Sequence, residues 1–169
     1  LLLEYVPFII LLLALFTISG GIQVSGTLSG TPYLNVAILT LGTLIASWMG
    51  TTGAAMLLIR PLIRANSWRR KKTHIFVFFI FLVANVGGAL TPLGDPPLFL
   101  GFLNGVSFFW TTKNLFLPMI LVSLILIVVF YLLDEYFFRK EDRRAGVRDK
   151  IKPKPEDKLK LKGTINFLF

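Results

Sequence analysis

"NVGGALTPLGDPPLFLG", residues 85–101, decides how this chain folds. It lies inside an apolar run that begins at Ile75, yet it holds Gly87, Gly88 and Gly94, prolines at 92, 96 and 97, and the carboxylate of Asp95. The glycines lack side chains, while each proline removes an amide hydrogen and clashes with a continuing helix. A helix entering this stretch is therefore expected to stop near Gly87–Thr91 and to restart after Pro96. In hydrocarbon, every backbone group freed by such a break must be met by a ligand, water or a neighbouring helix. The first half-helix is expected to present carbonyls, which favour a cation, and the second to present amides, which favour an anionic group.

The flanks show why hydrocarbon is the relevant solvent. Of the 169 residues 54% are hydrophobic, and mean hydropathy is +0.72. Apolar runs such as Val6–Ile18 and Leu115–Leu133 exceed what a soluble surface tolerates, so the fold class expected is an all-α integral membrane protein. Without cysteine there is no disulfide framework and no thiolate metal site. The chain starts "LLLEYVPF" and ends "GTINFLF", so it reads as a piece of a longer protein, and its first apolar run lacks the basic flank of a signal peptide.

Charge sets the expected topology. Of eighteen Lys and Arg residues, six lie in Arg60–Lys72, eleven in Arg139–Lys162, and only Lys113 lies elsewhere. Clustering beside apolar segments is the positive-inside pattern, and no aromatic or groove-reading motif accompanies the charge, so nucleic acid is not an expected partner. A multi-pass protein of the cell inner (plasma) membrane follows, with loops 60–72 and 139–162 cytoplasmic.

Spans are expected at 5–22, at 75–109 with its break at 87–97, and at 115–138. Residues 24–32 read as a polar, uncharged loop, and 139–162 as a solvated linker with a surface helix starting at Asp157–Lys162. Residues 163–169 begin a further apolar segment. Residues 35–59 leave two readings open, because "GTTG" at Gly50–Gly53 interrupts them. They form either one span or a re-entrant hairpin whose arms, at about 15–21 Å, are too short to cross a core of about 30 Å.

Asp95 is the only acidic residue between Tyr5 and Leu133. An ionised acid at membrane depth costs roughly 2.5–3.5 kcal/mol, so it calls for a purpose. It can bind a small cation, it can carry a proton, or it can cap the restarted helix. The hydroxyls of Thr91, Thr51 and Thr52, the amide of Asn85, and the backbone of Gly87, Gly88 and Gly94 complete the candidate ion or substrate site. Each has a plainer alternative, since threonine satisfies its own helix and Asn85 can bond a neighbouring one. His74 and the tryptophans 48, 68 and 110 read as interfacial residues, and Asp134 and Glu135 as surface residues. With one histidine and no Ser–His or His/Glu set, no enzyme is expected, and no cofactor beyond transported ions.

"GGALTPLGDPP" at Gly87–Pro97 resembles the signature of the ion transporter superfamily, which includes arsenite permeases, D-type sodium/proton antiporters and divalent-anion/sodium symporters. There a glycine-rich break ending in Gly-[Asp/Ser/Thr]-Pro-Pro interrupts a spanning helix beside the binding site. "MGTTGAAMLL" at Met49–Leu58 is similar to the hairpin-tip motif of the anion symporters. Of the Ser-Asn-Thr in that motif only Thr51 is kept, with Met49 and Gly50 before it, and Leu98 stands where those symporters place asparagine. Both departures argue against a dicarboxylate or citrate, and Asp95 is similar to the antiporter pattern. The resemblance thus implies sodium or lithium exchange for protons with sodium at Asp95. It also implies a homodimer and two inverted repeats, of which this chain holds mostly one. Expected partners are membrane lipid, a small inorganic ion and the remaining repeat. The alternatives are an anion transporter for citrate or arsenite and a non-transporting membrane scaffold.

Overall fold

A computed structural model describes residues 29–145 without interruption, with Val6, Ile9, Ile10, Leu13, Ala14, Thr17 and two three-residue strands outside that range. The expected span 5–22 falls mostly outside the described residues, and its six described positions are helical and exposed. The rest of the 139–162 linker and residues 163–169 also lie largely outside them.

Helix α1, Pro32–Met49, starts where sequence chemistry places a start: Thr31 is the N-cap and Pro32 occupies the first turn. It ends at Gly50, whose φ of 82° and ψ of 149° lie where side chains are strongly disfavoured. Helix α2, Thr51–Ala65, follows at once and reverses the chain. At the far end the Gly30 amide donates to the Ala65 carbonyl at 2.9 Å, and the Asn35 and Asn66 carboxamides pair. Residues 35–59 are therefore covered by two antiparallel helices joined at Gly50 rather than by one continuous helix. The arms are longer than expected, 18 and 15 residues, or about 27 and 22 Å.

Helix α3, Thr73–Leu82, stops short of the glycines. The Val83 and Ala84 amides both turn to the Phe79 carbonyl, and the Asn85 side chain donates to the Ile80 carbonyl at 2.9 Å. Asn85 thus takes an acceptor that the next helical amide would need, which moves the stop ahead of Gly87. A single 3-10 turn, Val86–Gly88, and a second turn at Thr91–Gly94 lead to α4, Pro96–Leu103. Helix α5, Trp110–Ala145, begins before and ends beyond the expected 115–138. Its 36 residues reach about 54 Å, so the expected linker starts as helix.

Strands β1, Gln23–Ser25, and β2, Lys160–Lys162, pair antiparallel. Lys160–Lys162 is therefore extended, which corrects the expected surface helix there: pairing supplies partners for backbone groups that an isolated helical turn leaves unmet.

Helix α1 is central. Asn35, Ile38, Leu39, Gly42, Thr43, Ala46 and Ser47 recur at steps of three and four on its buried face. The small residues in that row admit close neighbours: a Cβ at Gly42 would stand 2.6 Å from Val83 Cγ2 and 2.8 Å from Leu58 Cδ1. Leu58, Leu62, Ile75, Phe79, Leu82 and Phe130 complete the core from α2, α3 and α5. Large apolar residues also cover the outside, including Leu41, Leu44, Leu117, Leu121, Leu124 and Leu132. Helices α1 and α5 are long and apolar enough to cross a membrane.

One expectation about charge is overturned. Asp134 is fully buried, not a surface residue, because Arg69, His74 and Asn35 surround its carboxylate. Glu135, one position on, stays half-buried and pairs with Arg139 at 2.6 Å.

Candidate functional site

The two interruptions meet. The Thr51 amide, first in α2, donates to the Gly94 carbonyl at 3.0 Å. Ser47, in the last turn of α1, donates its hydroxyl to the Gly87 carbonyl and accepts from the Leu90 amide at 3.3 Å. The Thr91 hydroxyl donates to the Ser47 carbonyl, which the end of α1 leaves without an intrahelical partner. From α5, Thr111 and Thr112 both donate to the Leu90 carbonyl, at 3.0 and 2.6 Å.

Glycine makes this approach possible. A Cβ at Gly87 would stand 2.8 Å from the Thr43 carbonyl oxygen, and one at Gly88 would stand 2.7 Å from the Gly94 carbonyl oxygen. A Cβ at Gly94 would overlap the Gly88 carbonyl outright. Five sequence candidates, Gly87, Gly88, Gly94, Thr91 and Thr51, therefore gather at one junction. Thr52 is exposed beside it and lines a groove of about 410 Å³ with Thr51, Met56, Phe79, Ile80 and Ala84. Asn85 is exposed, with its amide on Ile80, and is not among the groups that join the two breaks.

Asp95 follows Gly94 and occupies the N-cap position of α4, half-buried. Its side chain accepts no capping hydrogen bond; its main-chain carbonyl instead accepts from Leu98 and Phe99 at 3.0 and 3.2 Å. The expected free amides at the start of α4 are consequently absent, since Pro96 and Pro97 have no N–H and the next two amides are bonded. The carbonyls of the break are likewise largely taken, at Gly87, Leu90, Thr91 and Gly94. Among the described residues, the Thr52 and Gly53 amides at the start of α2 have no acceptor, Thr52 exposed and Gly53 buried, and no acidic residue lies in that first turn. Such a terminus carries roughly half a positive charge and suits an anion.

Sequence reading missed Ser47, Thr111 and Thr112. Ser47 does carry a signal in retrospect, a hydroxyl three residues before the glycine that ends its helix. Thr111 and Thr112 carry none, because only tertiary contact brings them to Leu90.

A family model described as "Putative citrate transport" matches residues 1–169. No curated protein and no solved structure matches the chain. The family match covers every element of the junction, from the α1–α2 reversal to α5, and the chain belongs to this citrate-transport family of membrane proteins.

Proposed function

We propose that this chain forms the substrate half of a secondary transporter for a carboxylate anion of the citrate class, bound where the α1–α2 reversal meets the 87–95 break. The observation that carries this reading is the start of α2, where the Thr52 and Gly53 amides have no acceptor among the described residues, no acid lies in the first turn, and exposed Thr52 borders an open groove. Backbone donors at a helix N-terminus bind a carboxylate without the serine and asparagine that the related symporters use. The departures at Met49, Gly50 and Leu98 therefore lose their force against citrate. Asp95, one residue from the Thr51–Gly94 bond and without a side-chain partner among the described residues, supplies the place for a coupled sodium ion or proton. The reversal is re-entrant from the cytoplasmic side, since α2 at about 22 Å falls short of a core of about 30 Å.

Sodium/proton antiport is the second reading, and the unpartnered Asp95 carboxylate favours it. Charge at Thr52 separates the two. Thr52→Glu repels a bound carboxylate, and because the α2 N-terminus returns only about 0.3–1 kcal/mol of the roughly 2.5–3.5 kcal/mol that an acid costs at membrane depth, uptake is read per amount of folded protein in the membrane. Labelled-citrate uptake into vesicles carrying the full-length protein should fall about tenfold or more, the equivalent of about 1.4 kcal/mol of lost binding. Undiminished citrate uptake in this variant would overturn the site. Sodium-driven proton movement that needs no citrate would favour antiport.

A further inference from the structure

At the end of α1 remote from the junction, polar side chains from five segments close on one another inside the protein. Asp134 of α5 is the hub. Its Oδ1 accepts from the Arg69 guanidinium and lies 2.8 Å from His74 Nε2, while its Oδ2 accepts from Asn35 Nδ2 at 2.8 Å. Asn35 and Asn66 exchange a reciprocal carboxamide pair, at 3.0 and 2.7 Å, and Asn66 spends its second amide hydrogen on the Leu62 carbonyl at 2.9 Å. Glu141 closes the rim by accepting from Arg69 Nε at 3.5 Å and from the Arg70 and Lys71 amides at 3.1 and 2.7 Å.

Asn35, Asn66, Arg69 and Asp134 are each at most 2% exposed, and both carboxamides have their donors and acceptors met. The carboxamides and the carboxylate are committed to one another and to Arg69, and that points to a structural use. That use is register: apolar helix faces tolerate sliding, whereas a buried amide–carboxylate–guanidinium set tolerates one alignment, and fixing register is the best-attested use of such groups. From Asn35 to Ser47 the single helix α1 runs about 18 Å, so the height of Asn35 sets the height of Ser47 and Gly50 against the break.

We infer that Asp134, Arg69, Asn35 and Asn66 are positioning residues for the transport site, a latch at the base of the reversal that holds its tip in register with Gly87–Gly94. The inference rests on the carboxylate-transport reading for what the tip binds, and on the hydrogen bonds above for the latch itself. The chain has no cysteine, so paired cysteines report the tip directly. In full-length protein in membranes, Thr52→Cys and Leu93→Cys, both exposed beside the Thr51–Gly94 bond, are joined with a short bifunctional thiol reagent. Adding Asp134→Asn should slow crosslinking several-fold. In protein without the cysteines, it should raise the half-saturating citrate concentration about tenfold with the maximal rate largely kept, as a small misplacement of a binding group does.

Unchanged crosslinking and affinity in correctly folded Asp134→Asn would overturn the latch. Should Asp134→Asn fail to fold, Glu141→Gln decides, because it loosens the rim without stranding a buried charge; the same shifts in smaller measure support the latch, and none overturns it. If the unsubstituted protein does not carry citrate, the transport reading falls while crosslinking still decides the latch.

Discussion

Asp95 and Thr52 flank the Thr51–Gly94 hydrogen bond with opposite preferences for charge. Asp95→Asn should leave stability within about 0.5 kcal/mol, since the side chain accepts no capping bond whose loss would matter. Its effect should fall on coupling: citrate uptake by Asp95→Asn should lose its dependence on sodium or on a proton gradient, read as uptake against sodium concentration and pH. Retained dependence would place the coupling group elsewhere. Gly88 is the steric counterpart. A Cβ there meets the Gly94 carbonyl oxygen at 2.7 Å, and backbone cannot swing aside as a side chain does. Gly88→Ala should cost about 1–3 kcal/mol by overpacking and weaken citrate binding, checked by thermal unfolding with and without citrate.

Pairing decides the behaviour of the α1–α2 element more than propensity does. Gly50 permits the reversal, but the Gly30–Ala65 and Asn35–Asn66 contacts hold its open end together. Ser29 and Ser67 should therefore face the same side of the membrane. With cysteine placed at each in turn, a membrane-impermeant thiol reagent should label both from the cytoplasmic side and neither from outside. Labelling of the two from opposite sides would restore a single span. The broken element behaves differently, because its stop is local: Asn85 ends α3 before the glycines are reached, and the two prolines start α4 without free amides.

For the whole molecule the informative feature is an apolar outside. Most of the apolar side chains of helix α5 are exposed, and Leu124 near its middle is 59% exposed. In water such a face is an aggregation hazard; in lipid it is the solvent-facing side. Leu124→Lys should cost roughly 2.5–3.5 kcal/mol of insertion and deplete the protein from the membrane fraction. Full membrane yield of that variant would mean that α5 does not face hydrocarbon there.

The break at 85–97 and the interruption at Gly50 were legible in the sequence because glycine and proline act on the backbone where they stand. The membrane class was legible too, since hydropathy and charge clustering need no partner to be read. Which polar groups meet was decided only by tertiary structure. Asn35 and Asp134 are 99 residues apart, so Asp134 looks like a surface acid until α5 packs beside α1. The carbonyls of the break look bare until Ser47, Thr111 and Thr112 arrive from other helices. Local sequence sets where a chain must stop and what it exposes by stopping. Long-range packing, which has no periodic trace in sequence, chooses the partners, and here it tied up the carbonyls of the break while leaving the Thr52 amide and the Asp95 carboxylate without partners among the described residues.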